Sequence, residues 1–130
     1  MGSLVSWFDS SVGIIWAVAV SPDSTMIASG GSEQPIKLWN SGTGKLLRTL
    51  TEHSDSVNCL AFSPDNPTLA SGGNDNSIRI WNWHTGEQLN TLTHLGRVTS
   101  LAFSSDSLTL VSGSTDTTVK IWHLVNSQRG

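Results

Sequence analysis

Serine, histidine and aspartate are the residue types that a nucleophile, a general base and an orienting carboxylate require. The chain holds two such sets: His53, Ser71 and Asp75, then His94, Ser112 and Asp116. Ser71 or Ser112, activated by its histidine, is thus a candidate hydrolase nucleophile. A catalytic serine must also meet its substrate beside oxyanion donors, and a chain gains little from the same active site twice. The second set follows the first at a constant interval of 41 residues, which is how a structural unit behaves. The other reactive side chains are scattered. Cys59 lies where the equivalent positions carry Ala17 and Ser100, the place of a small packed residue. His84 and His123 stand alone, and no Cys/His/Asp spacing resembles a ligand set, so neither a metal nor a cofactor is expected.

The elements that carry these residues recur three times, from Ile15 to Asn40, from Val57 to Asn82 and from Val98 to His123. Trp39, Trp81 and Trp122 mark the period, at intervals of 42 and 41 residues. A repeat of about 40–45 residues has the length of one propeller blade. The middle copy predicts strand a over 57–62, strand b over 68–71, strand c over 77–81 and strand d over 88–92. Ser63-Pro64-Asp65-Asn66, Gly72-Gly73-Asn74-Asp75-Asn76 and His84-Thr85-Gly86 supply the turns between them. Pro35 falls at the first residue of its strand c, where a sheet admits proline.

Composition narrows the class. Of 130 residues, 13% are charged and the formal net charge is −3, with no Lys/Arg cluster. The electrostatic footprint of a nucleic-acid binder is therefore missing. The apolar run from Val12 to Val20 is too short to span a bilayer, and no Lys or Arg precedes Lys37 as a secretory signal would demand. One cysteine rules out an internal disulfide framework. These features predict a soluble, cytoplasmic, all-β protein without membrane or nucleic-acid partners.

An apolar strand, Ser-Pro-Asp, Ala-Ser-Gly-Gly, an Asp-containing turn and Ile/Leu-Trp together resemble the WD-repeat family, over essentially the whole chain. The copies depart from its pattern in two places. The tryptophans are followed by Asn40, Asn82 and His123 instead of aspartate, and the Gly-His pair reads Glu52-His53 and Thr93-His94, with Ser11 in the histidine place of copy one. The resemblance implies that His53, Ser71, Asp75 and Trp81 form a hydrogen-bonded clamp, and His94, Ser112, Asp116 and Trp122 another. Copy one, with Ser11, Ser29, Glu33 and Trp39, would be clamped incompletely and be the least stable blade. It also implies that Ile14, Trp16 and Ser32, with Ser56, Asn58 and Asn74, face partners on a narrow top surface. Arg97, Thr99 and Thr115 are the third such set. Trp16 and Arg97 are the types most enriched at binding hot spots, although Trp16 would equally serve as filling for a central channel.

Three units, over 9–50, 51–92 and 93–126, do not close a ring, and residues 2–8 align with the d strands. Two copies exchanging that strand make six blades, within the usual four to eight; three make nine. The expectation is a homodimeric six-bladed propeller, with a homotrimer second and a fragment of a longer WD-repeat protein as another reading. The function implied is a non-catalytic scaffold that binds a peptide or protein on its top face. A lectin-like, carbohydrate-binding oligomer using Trp7, Trp16 and Trp83 is the alternative, weakened because these aromatics do not repeat.

Overall fold

Short segments rich in Val, Ile, Leu and Thr, each bounded by Gly, Asn, Asp or Pro, leave the chain no choice but a series of hairpins. The computed structural model describes residues 2–4, 13–33, 35–51 and 53–124. They form eleven strands: β1 (Ile15–Val20), β2 (Met26–Gly31), β3 (Ile36–Asn40), β4 (Leu46–Leu50), β5 (Val57–Phe62), β6 (Thr68–Gly73), β7 (Ser77–Asn82), β8 (Glu87–Thr93), β9 (Val98–Phe103), β10 (Thr109–Ser114) and β11 (Val119–His123). Sequential antiparallel pairing gives sheets β1-β2-β3-β4 and β5-β6-β7-β8 and a three-stranded sheet β9-β10-β11. The middle copy starts and stops within two residues of where its sequence places each strand. Residues 2–4 carry no regular structure and are exposed. The rest of the strand expected over 2–8, including Trp7, and Ser11 lie outside the described residues.

Turn chemistry fixes the hairpins. Gly86 closes β7 onto β8 at φ +82°, a conformation glycine adopts freely. Asn76 takes φ +67° between β6 and β7, and Thr117 takes φ +73° at the equivalent turn of the third sheet. Asn tolerates that region; β-branched Thr resists it.

The sheets stack face to face. Ala28, Ile36, Leu38 and Leu50 of the first sheet pack on Val57, Leu69 and Trp81 of the second. One repeat further on, Ala70, Ile78 and Ile80 pack on Val98 and Leu110, with Leu101 and Trp122 against them. Approach is closest at the inner edge, where β5 lies beside β1 and β9 beside β5. Glycine makes this possible: a Cβ on Gly30 would sit 2.8 Å from a Val57 methyl, and one on Gly72 2.5 Å from a Val98 methyl.

Candidate functional site

Each clamp is assembled from three neighbouring elements. In the second sheet, Trp81 points from β7 onto Ser71 of β6, and its indole N–H donates to Ser71 Oγ at 2.9 Å. His53, in the segment leading to β5, brings Nε2 to 2.7 Å from the same oxygen. Its Nδ1 lies 3.0 Å from Asp75 Oδ2, in the β6–β7 turn. The third sheet repeats the figure: Trp122 Nε1 to Ser112 Oγ is 2.9 Å, His94 Nε2 to Ser112 Oγ 2.7 Å, and His94 Nδ1 to Asp116 Oδ2 2.9 Å.

One proton arrangement satisfies every member. The indole donates to the serine oxygen, the serine O–H donates to Nε2, and Nδ1–H donates to the carboxylate. Burial pushes His53 below its ordinary pKa of 6.5, against the opposing pull of the Asp75 charge, so the neutral tautomer with its proton on Nδ1 is the one assigned. Burial raises Asp75, but the Ser77 hydroxyl, the Ser54 amide and His53 more than offset it, leaving the carboxyl below its usual range. Asp116 is held still lower, chiefly by the Thr118 hydroxyl.

Ser77 and Thr118 escaped sequence reasoning. Each hydroxyl donates to its aspartate, at 2.7 and 2.6 Å, and lies 3.3 and 3.2 Å from the histidine Nδ1. The signal was present as a hydroxyl residue two positions after each aspartate. In the first sheet that position is Pro35, which has none. There Trp39 Nε1 still donates to Ser29 Oγ at 2.9 Å, but Glu33 is exposed.

This geometry is unsuited to nucleophilic catalysis. Ser71 and Ser112 are 0% and 1% exposed, so neither oxygen is open to a substrate, and each already accepts from an indole N–H while its own O–H is given to an imidazole. Burial raises the Cys59 thiol to about 12, far from a thiolate at neutral pH. Among the described residues no three His, Cys, Asp or Glu gather as metal ligands.

One residue in each set read as partner-facing lies at the same backbone irregularity. Register between strands a and b slips once in every sheet: between Ile15 and Ala17, between Val57 and Cys59, and between Val98 and Ser100. The extra residues are Trp16, Asn58 and Thr99, so each occupies a bulge, a device that re-aims a side chain. Trp16 is 56% exposed. Asn58 is engaged internally: its Nδ2 donates to Asn74 Oδ1 at 2.6 Å and to the Val98 carbonyl at 3.1 Å, tying two sheets together. Thr99 Oγ1 donates to the Gly113 carbonyl at 3.2 Å. Thr115 Oγ1 accepts from the Arg97 amide at 3.0 Å, as Ser32 Oγ accepts from Ile14 at 2.8 Å. The Arg97 side chain is exposed. Away from this rim, Pro22, Asp23, Pro64, Asp65, Asn66 and Trp83 line an open cleft of about 210 Å³. Trp83 packs edge-on against Phe62, with ring centroids 6.3 Å apart.

The profile of the WD domain, G-beta repeat family matches residues 2–40, 44–82 and 86–123. The chain belongs to the WD-repeat family. Its three tandem WD repeats therefore account for nearly all of its length. The chain is also similar to eukaryotic translation initiation factor 3 subunit I of Phaeosphaeria nodorum, 36% identical over 58 residues, or 45% of this chain and 18% of that protein. The same subunit of Neurospora crassa is 40% identical over 48 residues, 37% of this WD-repeat chain and 14% of the relative. That of Scheffersomyces stipitis is 38% identical over 48 residues, with the same coverage. The WD-repeat chain thus matches less than a fifth of the length of these relatives.

Proposed function

We propose that the chain is a non-catalytic interaction module, binding a protein or peptide on the rim formed by the bulged ends of β1, β5 and β9. The observation that carries this reading is the recurrent bulge, which turns one residue of every sheet out of the a–b ladder while leaving its identity free to differ. Trp16 supplies the large exposed anchor and Arg97 a charged one, with Thr99 and Thr115 as polar neighbours. Asn58 and Asn74, bound to each other, shape the rim between them. Similarity to subunits of a translation initiation factor supports a protein partner and a cytoplasmic setting, and no helix among the described residues is long and apolar enough to cross a membrane.

The test is affinity capture with the full chain. Partners retained by wild type should be lost with Trp16→Ala and with Arg97→Ala, and kept with Lys45→Ala, whose exposed side chain lies on the β3–β4 connection. Capture that is identical for all four proteins refutes the rim as the binding surface.

We further propose that the three units, over 9–50, 51–92 and 93–126, form half of a six-bladed ring closed by a second copy, with a trimer as the runner-up. Support comes from β11, whose outer side has no strand partner among the described residues. Residues 2–8 of the other copy would add that strand. The mass in solution tests it: a stable species of 13.9 kDa refutes assembly, and twice that mass agrees with the dimer.

A further inference from the structure

The two internal junctions follow one rule. At the first junction, Val57 sits over the bare backbone of Gly30, and Leu60, Phe62, Leu69 and Trp81 pack around it on the second sheet. At the second, Val98 sits over Gly72, and Leu101, Phe103, Leu110 and Trp122 repeat the set 41 residues later. Call these residues the knob face. The opposing glycine face carries Ala28, Ile36 and Leu38 at the first junction and Ala70, Ile78 and Ile80 at the second.

Among the described residues, one knob face and one glycine face have no sheet packed on them. Shifting the knob set back by 42 residues gives Ile15, Val18, Val20 and Ile27 on the first sheet, together with Trp39, which is itself buried at 6% exposed. Ile15 is 40% exposed, Val18 67% and Val20 58%. Shifting the glycine set forward by 41 gives Gly113, Val111, Val119 and Ile121 on the third sheet. Val119 is 71% exposed and Ile121 65%. Among the described residues no side chain of another sheet lies over Gly113: a Cβ there would meet Ser100 Oγ, at 2.7 Å, and Thr99 Oγ1. The equivalents of Ala70, Ile78 and Ile80 are apolar here too, whereas Cys59, covered at the second junction, is replaced on the third sheet by Ser100. Contiguous apolar area of this kind in water marks an interaction surface.

We propose that these two faces bind each other between two copies of the chain, Ile15 of each copy seated over Gly113 of the other. The proposal rests on the ring reading and specifies its junctions. A second copy is the occupant because the free surfaces are the two halves of a junction the molecule already makes twice. An unrelated partner would need to match only one of them. Like faces do not fit, since two knob faces would oppose Ile15 to Ile15 with no glycine to receive either. The contact is therefore heterologous, and two copies making it twice close on themselves without leaving an end.

Val18→Arg on the knob face and Ile121→Arg on the glycine face separate the possibilities. Both positions are largely exposed within one chain, so the fold should survive, which far-UV circular dichroism checks. Light scattering should give wild type twice 13.9 kDa and each variant 13.9 kDa alone. An equimolar mixture of the variants, at concentrations where wild type is fully assembled, should recover two-chain species through its one intact junction. A wild-type dimer that persists in either variant, or variants that do not complement, overturns the face pairing while leaving assembly intact. A monomeric wild type overturns both. As a second measurement, Ile15→Cys combined with Gly113→Cys should oxidise to a covalent two-chain species. A ladder of longer species would refute closure by two.

Discussion

Removing one hydroxyl from the second sheet should cost more than removing its equivalent from the first. Ser71 is fully buried and serves two side chains at once, the Trp81 indole at 2.9 Å and the His53 imidazole at 2.7 Å. Ser71→Ala takes little volume, so the cavity is small. What remains are an indole N–H and an imidazole nitrogen with no water to turn to. A buried polar group stripped of its partner costs about 1–3 kcal/mol, so the two together predict a loss of about 2–6 kcal/mol. Ser29 receives the Trp39 indole at 2.9 Å in a sheet with no histidine in reach among the described residues. Ser29→Ala therefore withdraws one bond where Ser71→Ala withdraws two, and should cost about 1–3 kcal/mol. Urea unfolding followed by tryptophan fluorescence and by circular dichroism, at one protein concentration, reads both. Against a total stability of about 5–15 kcal/mol for a domain, the difference is measurable. Equal losses, or a larger loss for Ser29→Ala, would show that the imidazole contributes nothing through the serine and that the clamp is only packing.

Four further outcomes follow from the same geometry. Because His53 is held below 6.5 in the folded chain, the unfolded chain takes up its proton first on acidification, so the urea midpoint should fall as pH drops below about 6.5. The lowered Asp75 and Asp116 add a second loss below about pH 4, and His53→Gln should flatten only the upper part of the profile; a midpoint that rises between pH 7 and 5 contradicts this. Native-state hydrogen exchange should show weaker protection in β2 and β3 than in β6 and β7, since Pro35 and exposed Glu33 stand where Ser77 and Asp75 brace the second sheet. Thr117→Asn should stabilise by about 1 kcal/mol, relieving a β-branched residue at φ +73°, and an unchanged thermal midpoint would rule that strain out. Cys59 should resist iodoacetamide in the folded protein and react only in urea, as its buried thiol stays protonated.

Much of this architecture was legible before any coordinate. Turn residues cut the chain into strands whose limits agree closely with the structure, and the recurrence of Trp39, Trp81 and Trp122 separated the sheets. Two kinds of information were not readable. The bulges at Trp16, Asn58 and Thr99 are departures of backbone register, and no residue type announces them. The engagement of Asn58 with the Val98 carbonyl depends on how one sheet sits on the next, a relation between residues 40 positions apart. Ser77 and Thr118 are a different case: their spacing from aspartate was visible, but only the folded turn shows both hydroxyls bridging carboxylate and imidazole.

The glycine beneath each valine has a consequence for the curvature of the whole array. At the inner edge, backbone is met by an isopropyl group, and the sheets come as close as two atoms allow. Further out, the space between them must hold an indole. The angle between successive sheets is thus a difference in side-chain volume along one radius, zero at Gly30 and a tryptophan's worth at Trp81. Redistributing that volume, by enlarging the inner residue or shrinking the outer one, would open or close the wedge and so alter how sharply the array turns. The wedge, in this sense, is a sum of small steric decisions made identically at each step.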